Sequence, residues 1–151
     1  MATLHRDYSE FLSLLNGVSV RYLLVGAHAL ALYGHSRYTA DIDLFVARDA
    51  DNIARVVACL EAFGFPPGTF SPDNFAGSDV IQVGYAPVRI DLLTALSGVQ
   101  FDACWERRRE FVLDGLDVSA IAPEDLIANK RATGRPQDLA DVSALEDLES
   151  P

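Results

Sequence analysis

Residues 37–46 read RYTADIDLFV, placing Asp41 and Asp43 on what is otherwise an apolar strand. Side chains alternate faces along a strand, so Asp41 and Asp43 share one face while Ile42, Leu44 and Val46 share the other. Two carboxylates roughly 7 Å apart repel each other and gain nothing from packing, so a positive partner is expected between them. A third acid occurs in VRIDLL (88–93), where Asp91 alternates with Ile90 and Leu92. If that strand lies beside 41–46, Asp41, Asp43 and Asp91 converge on one sheet surface. Three carboxylates without a nearby Cys or His pair describe a site for a hard, oxygen-liking cation, Mg²⁺ or Mn²⁺ first. Mg²⁺ held this way completes its shell with substrate phosphates and water. Two such ions ~3.5–4 Å apart can clamp the attacking and leaving oxygens of a phosphoryl displacement.

Phosphate also needs backbone donors. In VGAHAL (25–30), Gly26 and Ala27 open a short helix directly after an apolar strand. Exposed N–H groups there favour anions, and the small side chains let a phosphate approach.

The remaining elements must position these residues. Apolar spacing predicts a helix over 7–16, a strand over 22–26, a short helix over 27–34 and the Asp strand over 41–46. An amphipathic helix is expected at 49–63 and a Gly/Pro/Ser-rich loop at 64–79. Strands at 80–85 and 88–95 form an expected hairpin, followed by a helix at about 99–110 carrying Arg107–Arg109. A last strand at 117–122 precedes helices opened by Pro123 and Pro136, the first closed by Gly134. Interleaved strands and helices with an antiparallel pair imply an α+β fold with a mixed sheet flanked by helices. The 151 residues are expected to form a single minimal domain, with 149–151 as a frayed tail.

Taken together, VGA at 25–27 and DID at 41–43, separated by thirteen residues, resemble the polymerase-β-like nucleotidyltransferase superfamily. Its motif is an apolar strand, Gly-Gly or Gly-Ser, a short helix, then Asp-x-Asp on the next strand. Residues 25–46 are most similar to the minimal and AbiEii-like branches, with Gly34, Arg37, Thr39, Asp41 and Asp43 on the matching positions. Lys130, Arg135, Asp138 and Asp141 resemble the same branches' C-terminal Lys, Arg, Asp-x-x-Asp pattern. Ala27 stands where the motif has its second Gly or Ser, offering an N–H but no hydroxyl. The resemblance implies attack by an acceptor group on the α-phosphate of an NTP, with pyrophosphate leaving. It places Mg²⁺ or Mn²⁺ on Asp41 and Asp43, and makes Asp91 the third carboxylate, ligating or deprotonating. Gly26, Ala27, Arg37, Thr39 and Lys130 would hold nucleotide or phosphate, with Arg135, Asp138 and Asp141 supporting.

Blander readings exist for several of these residues. Asp91 could pair locally with Arg89, and Asp138 and Asp141, one helical turn apart, could pair with Lys130 or Arg135. Lys130, the only lysine, could complement a helix C-terminus, and His28 and His35 read as helix-face and loop residues. A haloacid-dehalogenase-type phosphatase is disfavoured because Phe45 replaces the Thr or Val expected two residues after the second Asp.

The net charge of −10 argues against broad nucleic-acid binding. No run reaches the ~18 apolar residues of a membrane span, no secretory leader opens the chain, and Cys59 and Cys104 fit no metal spacing. A cytoplasmic protein is therefore expected. The acceptor is not legible, and a homodimer or a cognate protein partner could complete its pocket. The alternative to an enzyme is the same fold kept as a nucleotide-binding or interaction module, for example an antitoxin-like partner.

Overall fold

A computed structural model describes residues 4–35, 41–77, 79–85 and 88–149. Arg37 and Thr39, expected to touch nucleotide, lie outside the described residues. The elements run α1 (Arg6–Gly17), β1 (Tyr22–Val25), α2 (Gly26–Leu32), β2 (Asp41–Val46), α3 (Ala50–Phe63), α4 (Pro72–Ala76), β3 (Val80–Tyr85) and β4 (Val88–Leu93). They continue with α5 (Phe101–Glu106), β5 (Arg109–Leu113), β6 (Leu116–Ala120), α6 (Pro123–Thr133) and α7 (Pro136–Glu149). All six strands join one mixed sheet in the order β3-β4-β2-β1-β6-β5. β2 is antiparallel to β1 and parallel to β4, while β6 returns parallel to β1.

The alternation along β1 and β2 explains the two layers. Tyr22 and Leu24, with Ile42, Leu44 and Val46, face a core shared with Phe11, Leu12 and Leu15 of α1 and Val56 and Leu60 of α3. Leu23, Val25 and Phe45 face a second core with Leu30, Phe101, Cys104, Leu126 and Leu145. Both sheet faces are therefore covered, which is why β1 reads as an uninterrupted apolar run. By the same alternation Asp41 and Asp43 lie on the Phe45 face, at the end of β2 where α2 begins. Cys59 and Cys104 are both buried thiols, and burial pushes each pKa up to about 11.

Asn52 ties the strands together at the other end of β2. Wholly buried on α3, its side chain accepts from Arg21 N (2.8 Å) and donates to Arg21 O (3.1 Å) and Ala47 O (2.8 Å).

The chain departs from the sequence-based expectation in two places. The segment expected as loop over 64–79 contains α4, held by a capping box between Ser71 and Asn74 and by burial of Phe75. At five residues it shows no helical period. The helix expected over 99–110 stops at Glu106, and Arg109 opens β5. β5 and β6 form a hairpin through Asp114 (φ +52°) and Gly115 (φ +82°), the positive pair that an Asp-Gly turn supplies. Arg107–Arg109 is thus not one exposed helix face. Arg107 grips Asp125 at the start of α6 (Nη2–Oδ1 2.7 Å, Nε–Oδ2 3.0 Å), and Arg108 lies over the Trp105 ring at 3.9 Å.

Candidate functional site

The parallel pairing of β2 with β4 fixes the register that the sequence left open: Asp41 opposite Arg89, and Asp43 opposite Asp91. On the other side of β2, Asp43 pairs with Val25, the last residue before Gly26. One carboxylate oxygen each from Asp41, Asp43 and Asp91 therefore lies within 4.8 Å of the others. Asp91 is buried and the other two are half-buried.

A cation is already aimed at this cluster. The Arg89 guanidinium bonds Asp41 through Nη2 and Asp91 through Nε (3.1 Å to Oδ1) and Nη2 (3.2 Å to Oδ2). The local Arg89–Asp91 pair considered from the sequence is present, and it extends to Asp41 because the register brings the two strands' residues side by side. The donor set fits a divalent ion. It is all oxygen and close enough to share one centre, and it holds a positively charged group between two of its members.

Asp43 is the member that Arg89 leaves unpaired by a bridge. Its pKa is pushed up to about 7, first by burial, then by the charges of Asp41 and Asp91 and a hydrogen bond shared with Asp91. Burial also raises Asp91, against the opposing pull of Arg89. The sign of the resulting pH dependence follows from proton counting. An unfolded Asp43 releases its proton near 3.8, whereas the folded one keeps it to about 7. Across that window the folded state binds more protons, so stability falls as pH rises. In chelator-treated protein the thermal midpoint is expected to drop between pH 5 and pH 8, and Asp43→Asn to flatten that drop. Each kcal/mol of repulsion relieved corresponds to roughly 2–4 °C in a domain of this size.

Gly26 is required by this same carboxylate. Its φ is +68°, and a Cβ there would lie 2.2 Å from Asp43 Oδ2. Gly26→Ala is therefore expected to cost roughly 1–2 kcal/mol for the backbone conformation alone. Displacing Asp43 would add to this. Urea unfolding measures the first effect, and weakened Mn²⁺ binding the second. Ala27 follows on α2, half-buried.

A cleft of about 510 Å³ connects these residues to the C-terminal helices. Gly26, Asp43, Lys130, Arg135 and Asp138 line it, together with the apolar side chains of Val80, Leu93 and Leu96. The loop carrying Leu96 is pinned to α6, where Asn129 Nδ2 donates to Ser97 O (3.0 Å). Gly98 packs so closely on α6 that an added Cβ would lie 2.7 Å from that of Ala132.

At the α6–α7 junction, Gly134 ends α6 in the left-handed conformation and Pro136 starts α7. Asp138, in the first turn, accepts from Arg135 N (3.3 Å), Arg135 Nε (2.7 Å) and Thr133 Oγ1 (2.8 Å). Lys130 Nζ stands 3.5 Å from Asp138 and 3.2 Å from Asp141, both carboxylates almost wholly buried. His35, after α2, approaches Asp141 at 3.6 Å. Lys130, Arg135, Asp138 and Asp141 thus form one charged cluster, and three of them line the cleft that reaches Asp43.

Sequence reasoning missed two neighbours of the acidic cluster. Tyr8, which reads as an ordinary apolar position of α1, donates its hydroxyl to Arg89 O (3.3 Å). His28 stacks edge-on against Tyr8 at 5.6 Å, and burial lowers its pKa. Neither carries a sequence signal, because both depend on how α1 and α2 dock.

A strand–Gly–helix joined to an Asp-x-Asp strand and a third carboxylate is the arrangement expected of a nucleotidyltransferase. The chain matches the family described as "Nucleotidyltransferase of unknown function (DUF6036)" over residues 3–148, and it belongs to that family. No curated protein matches the sequence. Among solved structures, the fold resembles an antigenic nucleotidyltransferase-like protein from Paracoccidioides brasiliensis. The TM-score is 0.57 at 17% identity, covering 97% of this chain and 79% of that one. It also resembles the lincosamide antibiotic adenylyltransferase LnuA in its lincomycin-bound form. There the TM-score is 0.60 at 14% identity, covering 98% of this chain and 99% of that one. At such identities the likeness is one of fold, and it agrees with the mixed, helix-flanked sheet expected from the sequence. Among the described residues, no helix is long and apolar enough to cross a membrane.

Proposed function

We propose that the protein transfers a nucleoside monophosphate from an NTP to an acceptor hydroxyl, releasing pyrophosphate, with Mg²⁺ or Mn²⁺ held by Asp41, Asp43 and Asp91. The carrying observation is the convergence of three carboxylate oxygens within 4.8 Å of one another beside a cleft that Asp43 and Lys130 both line. The family assignment and the adenylyltransferase neighbour support an NTP as donor. Within the superfamily we favour the AbiEii-like branch, on Gly34, Arg37, Thr39 and the Lys130–Asp141 pattern.

The bound ion would neutralise phosphate charge and polarise the α-phosphoryl group. The chain's own residues do the rest. Gly26 and Ala27 offer N–H groups to the triphosphate at the mouth of α2. Arg37, Thr39 and Lys130 grip its oxygens, and Arg135, Asp138 and Asp141 set the position of Lys130. Asp91 takes the proton from the acceptor hydroxyl as its oxygen attacks the α-phosphorus and the bond to the β-phosphate bridging oxygen breaks. The apolar walls at Val80, Leu93 and Leu96 suit a nucleobase. The acceptor is a small molecule, an RNA end or a protein side chain, completed in its pocket by a second copy or a partner protein. We place the protein in the cytoplasm, as a single domain.

Calorimetric titration with each NTP, with and without Mg²⁺, followed by transfer from α-labelled NTP, tests this reading. Mg²⁺-dependent binding and pyrophosphate release are expected. Absence of NTP binding by the folded protein would refute the transfer mechanism and leave the interaction-module reading.

A further inference from the structure

Arg89 holds two of the three carboxylates that the proposed ion would need. Its guanidinium fork engages Asp91 through both Nε and Nη2, and Nη2 also reaches Asp41. This geometry is imposed by the sheet. β2 and β4 run parallel with Asp41 opposite Arg89, and on β4's other side Arg89 faces Gly84, which offers no side chain. Tyr8 holds the Arg89 carbonyl from α1. The guanidinium's carboxylate partners in the sheet are therefore the acidic cluster itself. A planar fork bonded to carboxylate oxygens and a divalent ion ligated by the same oxygens are like charges competing for the same lone pairs.

We propose that Arg89 is a built-in counter-cation that competes with the divalent ion for Asp41 and Asp91, so that the ion enters by displacing the guanidinium. The inference rests on the reading of this cluster as the metal site. It has a consequence for order of binding. A bare ion must displace the guanidinium with nothing offered in exchange. An ion arriving on a triphosphate brings phosphate oxygens to which the freed Arg89, 37% exposed, can turn. Arg89 thus acts as a positioning residue that links metal loading to nucleotide.

The test is Mn²⁺ binding to chelator-treated protein without nucleotide, read as loss of the free-ion electron paramagnetic resonance signal. Wild type, Arg89→Met, Arg89→Lys and Asp41→Asn are compared, with thermal unfolding of each in chelator and in Mn²⁺. Arg89→Met is expected to bind Mn²⁺ about tenfold or more tightly than wild type, the scale on which one charge-assisted contact acts. It should unfold at lower temperature in chelator and gain more from Mn²⁺ than wild type does. Arg89→Lys, which keeps the charge but not the fork, is expected in between. Should Arg89→Met not fold, the lysine variant decides the matter. Unchanged Mn²⁺ affinity in the Arg89 variants, with binding lost in Asp41→Asn, would overturn the proposal while leaving the metal site in place. Failure of Mn²⁺ to bind any of the four would refute the metal site, and this inference with it.

Discussion

Asp41→Asn and Asp43→Asn are each expected to abolish Mg²⁺-dependent nucleotidyl transfer, lowering the rate from α-labelled NTP by about 10³-fold or more. The scale follows from the several kcal/mol that a metal supplies to a phosphoryl-transfer transition state, at 1.36 kcal/mol for each factor of ten. Asparagine is nearly isosteric and keeps one oxygen, so the strand register and the Gly26 contact survive while the charge that holds the ion is lost. The two variants should differ in their side effects. Asp41→Asn removes a partner of Arg89, whereas Asp43→Asn relieves a half-buried carboxyl whose neighbours are also acidic. The metal-free Asp43 variant should therefore be at least as stable as wild type at neutral pH. Equal transfer rates in wild type and both variants would remove the acidic strand from the mechanism.

Lys130→Met is expected to have the largest effect on stability, a loss of about 3–5 kcal/mol in urea unfolding. The Lys130 side chain, 12% exposed, reaches two aspartate side chains that are 2% and 0% exposed. Removing it takes an ammonium away from two buried carboxylates, Asp138 and Asp141. Asp138 retains Arg135 and Thr133, which hold its pKa below the usual carboxylate range, Arg135 contributing most. A depressed folded pKa contributes stability that is present above the unfolded value and lost as pH falls through the folded one. The junction should accordingly weaken in acid. If Lys130→Met instead unfolds like wild type and loses only NTP affinity, the residue serves the triphosphate and not the fold.

Much of this was legible from residue types alone, and the remainder was not for identifiable reasons. Alternation along DIDLFV and VRIDLL placed three carboxylates on one sheet face, because the period of a strand is two in any register. Which carboxylate faces which neighbour depends on a parallel pairing between strands more than forty residues apart. The reach of Arg89 to Asp41 could not be read for that reason. β5 was missed although Asp114-Gly115 is a strong hairpin signal. The apolar spacing of Phe101, Cys104 and Trp105 continues into charged residues that a helix would also accept. The C-terminal residues were picked out by family resemblance, and their pairing with Lys130 or Arg135 by the one-turn spacing of Asp138 and Asp141. Its approach to Asp43 comes from the docking of α6 against the 94–99 loop, which no local pattern encodes.

The order of elements along the chain also bears on how the site comes into being. Asp41, Asp43, Arg89 and Asp91 all precede residue 92, whereas the opposite wall of the cleft belongs to α6 and α7. During synthesis the acidic cluster can pair with its own arginine well before Lys130 is made. Its countercharge is carried within the strand that completes it, and assembly of the carboxylates need not wait for the C-terminal helices. A chain ending before Pro123 would keep the four charged residues but lose the Lys130 wall. It would also lack the Leu126 and Leu145 contacts that cover Leu23, Val25 and Phe45. Such a fragment would hold the ion-binding half of the site on a sheet with one face covered only in part, by Leu30 of α2 and Phe101 and Cys104 of α5, and self-association is its expected fate.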